Sequence, residues 1–241
     1  KEAYELARTG RPGPVHVEIP VDLLQNKVQI EQITDIEIAV STDPWQNLEQ
    51  TEKIKNAVKL IENADNPLII AGGGSVRASK ELEKLMELKN IPLLQTIAGK
   101  GVVSERHPLS LGARIKFASM KDRIKSADVV LAVGTELAPP DLAETNLDLN
   151  GKLIQIDVDP GNFNRGYPVE IGLLGDAKKV LDNINNEINQ NQSSITKSNI
   201  KKEDIIPDKK ELIDFFEISE ARFNKMSSLI KSLRKAIPED G

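Results

Sequence analysis

Short, wholly apolar segments alternate with helix-periodic segments along most of this chain. Between residues 54 and 64, for example, apolar side chains recur every three or four positions, which is typical of a helix with one buried face. Continuous apolar strands separated by helices indicate a parallel sheet that is covered on both faces. The sequence therefore predicts an α/β fold with a doubly wound, mostly parallel six-stranded sheet. The six expected strands cover residues 15–19, 67–71, 91–95, 128–133, 153–158 and 169–174.

Composition narrows the class of protein. The 241 residues are 39% hydrophobic and 29% charged with a net charge of −5, which is typical of a globular protein. With 3% aromatic residues and no arginine-rich stripe, we expect no nucleic-acid partner. The absence of cysteine and the distant positions of His16 and His107 predict no metal site. No apolar run is long enough to span a bilayer and no signal peptide is evident, so we expect a cytoplasmic protein without a membrane partner.

The pattern divides the chain into five segments. An opening helix and strand in residues 1–22 cannot bury their apolar faces alone, so we expect their partners in another part of a longer protein. Residues 23–50 form a polar connector, residues 51–190 carry the regular α/β pattern, and residues 191–210 read as a linker. Residues 211–241 form an amphipathic helix whose apolar stripe needs a surface to cover.

Candidate ligand-binding residues follow the predicted strands, because ligands of open α/β sheets bind beyond the carboxyl ends of the strands. Gly72, Gly73 and Gly74 follow one strand, and their backbone N–H groups either approach a phosphate or simply form a tight turn. Asp157 either accepts hydrogen bonds from a ribose or, with Asp159, sets the turn that follows. Asp176 is expected to cap the next helix.

Catalytic motifs are not evident in the sequence. It contains no nucleophile elbow, P-loop or pair of carboxylates at a catalytic spacing. From the residues alone, we therefore expect a nucleotide-binding type of fold without catalytic residues.

Several segments together resemble thiamine diphosphate-dependent enzymes. GRPGPVHVEIPVD (10–22) is similar to the end of their pyrimidine-binding domain. TIAGKGVVSERHPLSLG (96–112), ADVVLAVGT (127–135), LIQIDVDP (153–160) and GDA (175–177) resemble their central domain, in the same order and spacing. The similarity covers about residues 1–190 and is greatest to acetolactate synthases and 2-oxo acid decarboxylases. It implies a Rossmann-like central domain, with the terminal helix leading into a diphosphate-binding domain.

The resemblance implies a function that this segment shares with other domains. Family members use thiamine diphosphate and Mg²⁺ to decarboxylate a 2-oxo acid or to join it to an acceptor. Their activating glutamate and their GDG…N motif belong to the two outer domains, so the chain alone is expected to be catalytically inert. Family members assemble as dimers or tetramers, which implies a homo-oligomeric parent enzyme. A stand-alone nucleotide-binding module and a purely structural domain remain alternative hypotheses.

The resemblance also implies a cofactor site in the central domain, because acetolactate synthases hold a structural FAD there. Two departures stand out: residues 113–115 replace Met-His-Gly, and residues 135–139, with Glu136, replace an arginine-containing run. They predict weak FAD binding or none, with another nucleotide or coenzyme A as alternatives. The site positions implied by the family are Gly72, Gly73, Gly74, Thr96, Leu111, Gly112, Gly134, Asp157, Asp159 and Asp176.

Overall fold

A computed structural model describes residues 2–8, 12–27, 50–139, 147–191 and 209–237. The helices are α1 (Glu2–Arg8), α2 (Val21–Leu24), α3 (Thr51–Glu62), α4 (Ser79–Lys89), α5 (Ala118–Ser126), α6 (Ala177–Gln190), α7 (Lys209–Phe215) and α8 (Glu220–Ala236). The strands are β1 (Pro67–Ala71), β2 (Leu93–Gln95), β3 (Ser110–Gly112), β4 (Val129–Val133), β5 (Lys152–Asp157) and β6 (Ile171–Leu174). Short 3₁₀ helices cover Gly73–Ala78 and Pro160–Asn162.

The six strands form one parallel sheet in the order β3-β2-β1-β4-β5-β6. The chain begins in the middle with β1, moves outward to β3, and then returns to the other side of β1 with β4. The strand order therefore reverses between β1 and β4, which is the position where doubly wound sheets bind ligands. The predicted doubly wound parallel sheet is confirmed.

Both faces of the sheet are buried, because alternate residues of each strand point to opposite sides. Ile69 of β1 and Leu131 of β4 face a core formed with α3, α4 and α6. Ile70 and Val130, their neighbours in sequence, face a second core that includes α5. Two-sided burial explains why these strands read as continuous apolar runs rather than as alternating patterns.

The set of strands differs from the predicted set at two positions. Residues 15–19 were expected to form a strand, but they form no strand in the structure, and Val17 and Ile19 are 57% and 52% exposed. The sixth strand is instead β3, which lies between the expected strands 91–95 and 128–133. β3 has only three residues and ends in Gly112, so its sequence carries too short an apolar run to indicate a strand.

The C-terminal segment forms two helices where a single one was expected. Glu217, with a φ of 49°, lies in the turn between α7 and α8. Leu212 of α7 packs against the second core, and the ring of Phe215 lies 4.5 Å from that of Phe117. No residue of α8 is buried.

The expected connector and linker fall largely on residues 28–49 and 192–208, which lie outside the described residues. Within the described part of the chain, no helix is long and apolar enough to cross a membrane.

Candidate functional site at the carboxyl edge of the sheet

A cavity of about 230 Å³ lies beside the point where the strand order reverses. It is formed by residues that follow β1, β4, β5 and β6, together with the last two residues of β5 and the first residue of α6. Its position is the one that open α/β sheets use for ligands. The lining residues are Gly74, Gly134, Thr135, Glu136, Ile156, Asp157, Val158, Asn162, Gly175 and Ala177.

The glycines after β1 and β4 let two turns of the backbone touch. Gly134 has a φ of 58°, and a Cβ atom placed on it would lie 2.5 Å from the carbonyl carbon of Gly74. The N–H of Gly74 donates to the carbonyl of Gly134 at 2.9 Å, and the N–H of Gly72 donates to the carbonyl of Val133 at 2.9 Å. Both N–H groups are thus used within the fold. These contacts favour the tight-turn interpretation of Gly72 and Gly74 over phosphate binding.

Four other site positions that the family resemblance implies precede β4 in the sequence. They lie toward the half of the sheet that β2 and β3 form. Gly73 is exposed above Ala98. Thr96 is fully buried, and its hydroxyl accepts a hydrogen bond from the N–H of Gly99 at 3.2 Å. Leu111 is buried in the second core, and Gly112 ends β3 with a φ of 68°. Thr96, Leu111 and Gly112 do not line the cavity described above.

Two aspartates, one at the end of β5 and one just after it, organise the turn that follows this strand. Asp157 is 7% exposed, and its Oδ1 accepts hydrogen bonds from the N–H of Asp159 at 2.9 Å and from Asn162 Nδ2 at 3.2 Å. Asp159 Oδ1 accepts from the N–H of Gly161 at 2.8 Å. These hydrogen bonds support the interpretation that both aspartates set the turn. Asp157 also lines the cavity, so its role toward a ligand stays a prediction.

Asp176 caps helix α6, as the sequence predicts. Its Oδ1 accepts hydrogen bonds from the N–H groups of Lys178 at 3.1 Å and Lys179 at 3.3 Å. The neighbouring Gly175 donates its N–H to the carbonyl of Asp157 at 2.9 Å, which holds the start of α6 against the end of β5. Asp176 therefore positions one wall of the cavity.

A second cavity of about 270 Å³ shares Glu136 with the first. Its other lining residues are Leu137, Ala138, Pro139, Arg165, Gly166 and Tyr167. Arg165 Nη1 lies 3.3 Å from Glu136 Oε2. The hydroxyl of Tyr167 accepts a hydrogen bond from the N–H of Leu147 at 2.7 Å. Sequence reasoning did not pair Glu136 with Arg165, because the two residues are far apart in the chain and belong to no common motif.

Polar residues also gather at the opposite, amino-terminal edge of the sheet. The carboxylate of Asp128 accepts hydrogen bonds from the N–H groups of Asp65 at 2.7 Å and Asn66 at 2.9 Å. Arg123 donates to the side chain of Asn66. Burial lowers the pKa of Arg123, and the nearby charge of Asp128 opposes that shift. These contacts fasten the turn before β1 to the start of β4. Within the described residues, no group of three His, Cys, Asp or Glu side chains could hold a metal ion.

Comparison with known sequences identifies the family. The sequence model described as "Thiamine pyrophosphate enzyme, central domain" matches residues 54–184, more than half of the chain. The chain belongs to the thiamine pyrophosphate enzyme family. The matched residues cover the whole sheet and the elements around the cavity. The family resemblance seen in the sequence is thus confirmed.

The curated relatives of this thiamine pyrophosphate enzyme domain are named for several different activities. A probable 2-ketoarginine decarboxylase of Pseudomonas aeruginosa is 38% identical over 180 residues, which cover 75% of this chain and 32% of that protein. A probable acetolactate synthase large subunit of Methanococcus aeolicus is 34% identical over 85% of this chain and 35% of its own length. A 2-hydroxyacyl-CoA lyase of Arabidopsis thaliana is 33% identical over 90% of this chain and 38% of its own length. The chain thus spans about a third of these relatives.

Proposed function

We propose that this chain is the central domain of a thiamine diphosphate-dependent enzyme that acts on a 2-oxo acid, as a decarboxylase or as an acetolactate synthase-like carboligase. The match of residues 54–184 to the central-domain family carries this proposal. The names of the Pseudomonas and Methanococcus relatives supply the class of substrate and the two reaction types.

The proposal divides the work between this domain and the rest of the parent enzyme. Thiamine diphosphate, when bound, supplies carbanion stabilisation that amino-acid side chains lack. We assign its site and the Mg²⁺ site to parts of the parent enzyme outside residues 1–241, and we expect the parent to be a homo-oligomer. On this basis, the chain alone is catalytically inert, and its role is to support the catalytic domains.

The resemblance to acetolactate synthases implies that FAD binds in this cavity, so the lining residues must suit its diphosphate. A bound diphosphate needs N–H donors or cations that face it. Here the N–H groups of Gly72 and Gly74 donate to backbone carbonyls, and the side chain of Glu136 lines the cavity. These residues do not fit the diphosphate of FAD. We therefore propose that the cavity takes a different small ligand that contains a nucleoside.

Turnover by the complete protein tests the proposed activity. The full reading frame would be expressed, loaded with thiamine diphosphate and Mg²⁺, and assayed for release of CO₂ from pyruvate, 2-oxobutanoate and 2-ketoarginine. We expect turnover of at least one substrate, dependent on thiamine diphosphate, and none from the 241-residue chain under the same conditions. A complete protein that neither binds thiamine diphosphate in calorimetry nor turns over any substrate would contradict the proposal. That result would favour a nucleotide-binding module with the same fold.

A further inference from the structure

Glu136 lies where the two cavities at the carboxyl edge meet, and it lines both of them. We infer that Glu136 determines the charge of the ligand that this site accepts, so that the site binds an uncharged, hydroxyl-bearing ligand such as a nucleoside and rejects its phosphorylated form. This inference rests on the proposed function, in which the cavity holds a ligand that contains a nucleoside. It goes beyond that proposal in two ways: it names the residue that selects the ligand, and it states the chemical class of the ligand.

The backbone fixes the position of Glu136. It follows Gly134 and Thr135 directly after β4, and the N–H of Leu137 donates to the hydroxyl of Thr135 at 3.1 Å. Leu137 is 3% exposed and has a φ of 49°, so the chain turns sharply and anchors its next side chain in the second core. Glu136 stands between these anchors, so its backbone is held at the place where the two cavities meet.

The charge of Glu136 is only partly screened by solvent. Its side chain is 25% exposed, whereas that of Arg165, its partner at 3.3 Å, is 66% exposed. A partly buried carboxylate interacts with a nearby charge more strongly than one in bulk water does. The negative charge of Glu136 therefore affects a ligand in the cavity more strongly than the positive charge of Arg165, whose guanidinium extends into solvent.

The balance of charge around the two cavities is negative. Glu136 and Asp157 are the acidic residues among the described lining residues, and Arg165 is the basic one. The guanidinium of Arg165 is engaged with Glu136 and so offsets one carboxylate without creating a positive site. A phosphate group placed here meets like charge and loses its hydration, which disfavours binding.

The hydrogen-bonding groups of the cavity lead to the same conclusion. The N–H of Gly74 and the side-chain amide of Asn162 already donate within the protein, to Gly134 and Asp157. Carboxylate oxygens have several lone pairs, so Glu136 and Asp157 can accept further hydrogen bonds. The carboxylates of Glu136 and Asp157 therefore suit the hydroxyl groups of a ribose, which can donate to them, and do not suit phosphate oxygens, which cannot.

Adenosine and ADP provide a matched pair of probes, since they differ only in the diphosphate. Both would be titrated calorimetrically into the 241-residue chain, into Glu136→Gln, which keeps the shape and removes the charge, and into Arg165→Gln. The control is Glu170→Gln, because Glu170 also forms an ion pair, with Lys152 at 3.4 Å, but lies just before β6 at the opposite edge of the sheet. A thermal melt of each variant verifies that it is folded.

We expect the unmodified chain to bind adenosine at least about tenfold more tightly than ADP. Glu136→Gln should reduce this preference about tenfold, Arg165→Gln should increase it, and Glu170→Gln should leave it unchanged. Equal binding of the two probes, or a preference that Glu136→Gln does not alter, would overturn the inference and would still support a ligand that contains a nucleoside. If neither probe binds any of the proteins, both the inference and the proposed ligand class fall. The proposed thiamine diphosphate-dependent activity is then still decided by the turnover assay.

Discussion

Three glycines of this protein differ in what a side chain would cost at their positions, through the backbone conformation or through close packing. Gly134 combines a φ of 58° with a Cβ position 2.5 Å from the carbonyl carbon of Gly74. Gly101 has a φ of 88°, but a Cβ atom there would meet nothing within 4 Å. Gly166 has neither a left-handed φ nor a close neighbour. Alanine at these positions adds the same methyl group to three different environments.

We expect the three alanine variants to differ in stability in a fixed order. Gly166→Ala should change the free energy of unfolding by less than about 0.5 kcal/mol. Gly101→Ala should lower it by about 1–2 kcal/mol, the cost of a side chain in the left-handed region. Gly134→Ala should lower it by about 3 kcal/mol or more, because the turns after β1 and β4 must also separate. Urea unfolding of the 241-residue chain measures all three. Equal losses for Gly134→Ala and Gly101→Ala would mean that the two turns separate without cost.

At the scale of elements, the open edge of the sheet at β6 is covered by side chains. The side-chain amide of Gln50 donates to the carbonyl of Leu174 at 2.6 Å and accepts from its N–H at 2.8 Å. Lys53 Nζ lies 3.4 Å from the carbonyl of Gly172. Gln50 thus makes the pair of hydrogen bonds that a further strand would make. Covered edges of this kind discourage pairing with a second chain.

Replacement of Gln50 by alanine should therefore weaken β6 in particular. The loss of two hydrogen bonds should lower the free energy of unfolding by about 1–3 kcal/mol and speed hydrogen exchange of the Leu174 amide. Gln190→Ala is the matched control, because it removes the same amide from an exposed position at the end of α6. Hydrogen exchange followed by NMR provides the measurement. Unchanged protection of Leu174 in Gln50→Ala would show that this side chain does not hold the edge.

Local sequence predicted the elements whose own residues carry the signal. β1 and β4 each have five buried residues in a row, and α3 has a periodic apolar face, so both kinds of element were evident. β3 was missed because its three residues become a strand only by pairing with β2. Residues 15–19 have the composition of a strand but form none, since composition alone does not supply a partner strand.

The same distinction holds for the candidate site. The capping role of Asp176 could be predicted, because the cap and its helix are adjacent in sequence. The pairing of Glu136 with Arg165 could not, since it depends on how the turns after β4 and β5 fold toward each other. The contact of Gly134 with Gly74 likewise depends on which strand lies beside β1. Contacts between elements distant in sequence thus determine most of the cavity.

At the scale of the whole molecule, the buried residues concentrate in one part of the chain. Among the residues that the structure describes, every buried member of the two hydrophobic cores lies between residues 54 and 188, and Leu212 packs against the second core from outside this range. α2 and α8 contribute no buried residue. α7 adds a small contact, because Glu211 accepts a hydrogen bond from the N–H of Ser119 at 2.9 Å near the start of α5. The stability of the chain should therefore reside in residues 50–191.

Two truncations test this distribution. A fragment of residues 50–237 should unfold cooperatively with nearly the same free energy as the full chain, since none of the described residues before Gln50 belongs to either core. A fragment of residues 50–191 should remain folded but lose about 1–3 kcal/mol, because Phe117 loses its contact with Phe215, and Ser119 loses the carboxylate at its N–H. Urea unfolding followed by circular dichroism compares the three proteins. Failure of residues 50–191 to unfold cooperatively would mean that α7 belongs to the folding unit, and the boundary predicted near residue 190 would then move beyond Phe216.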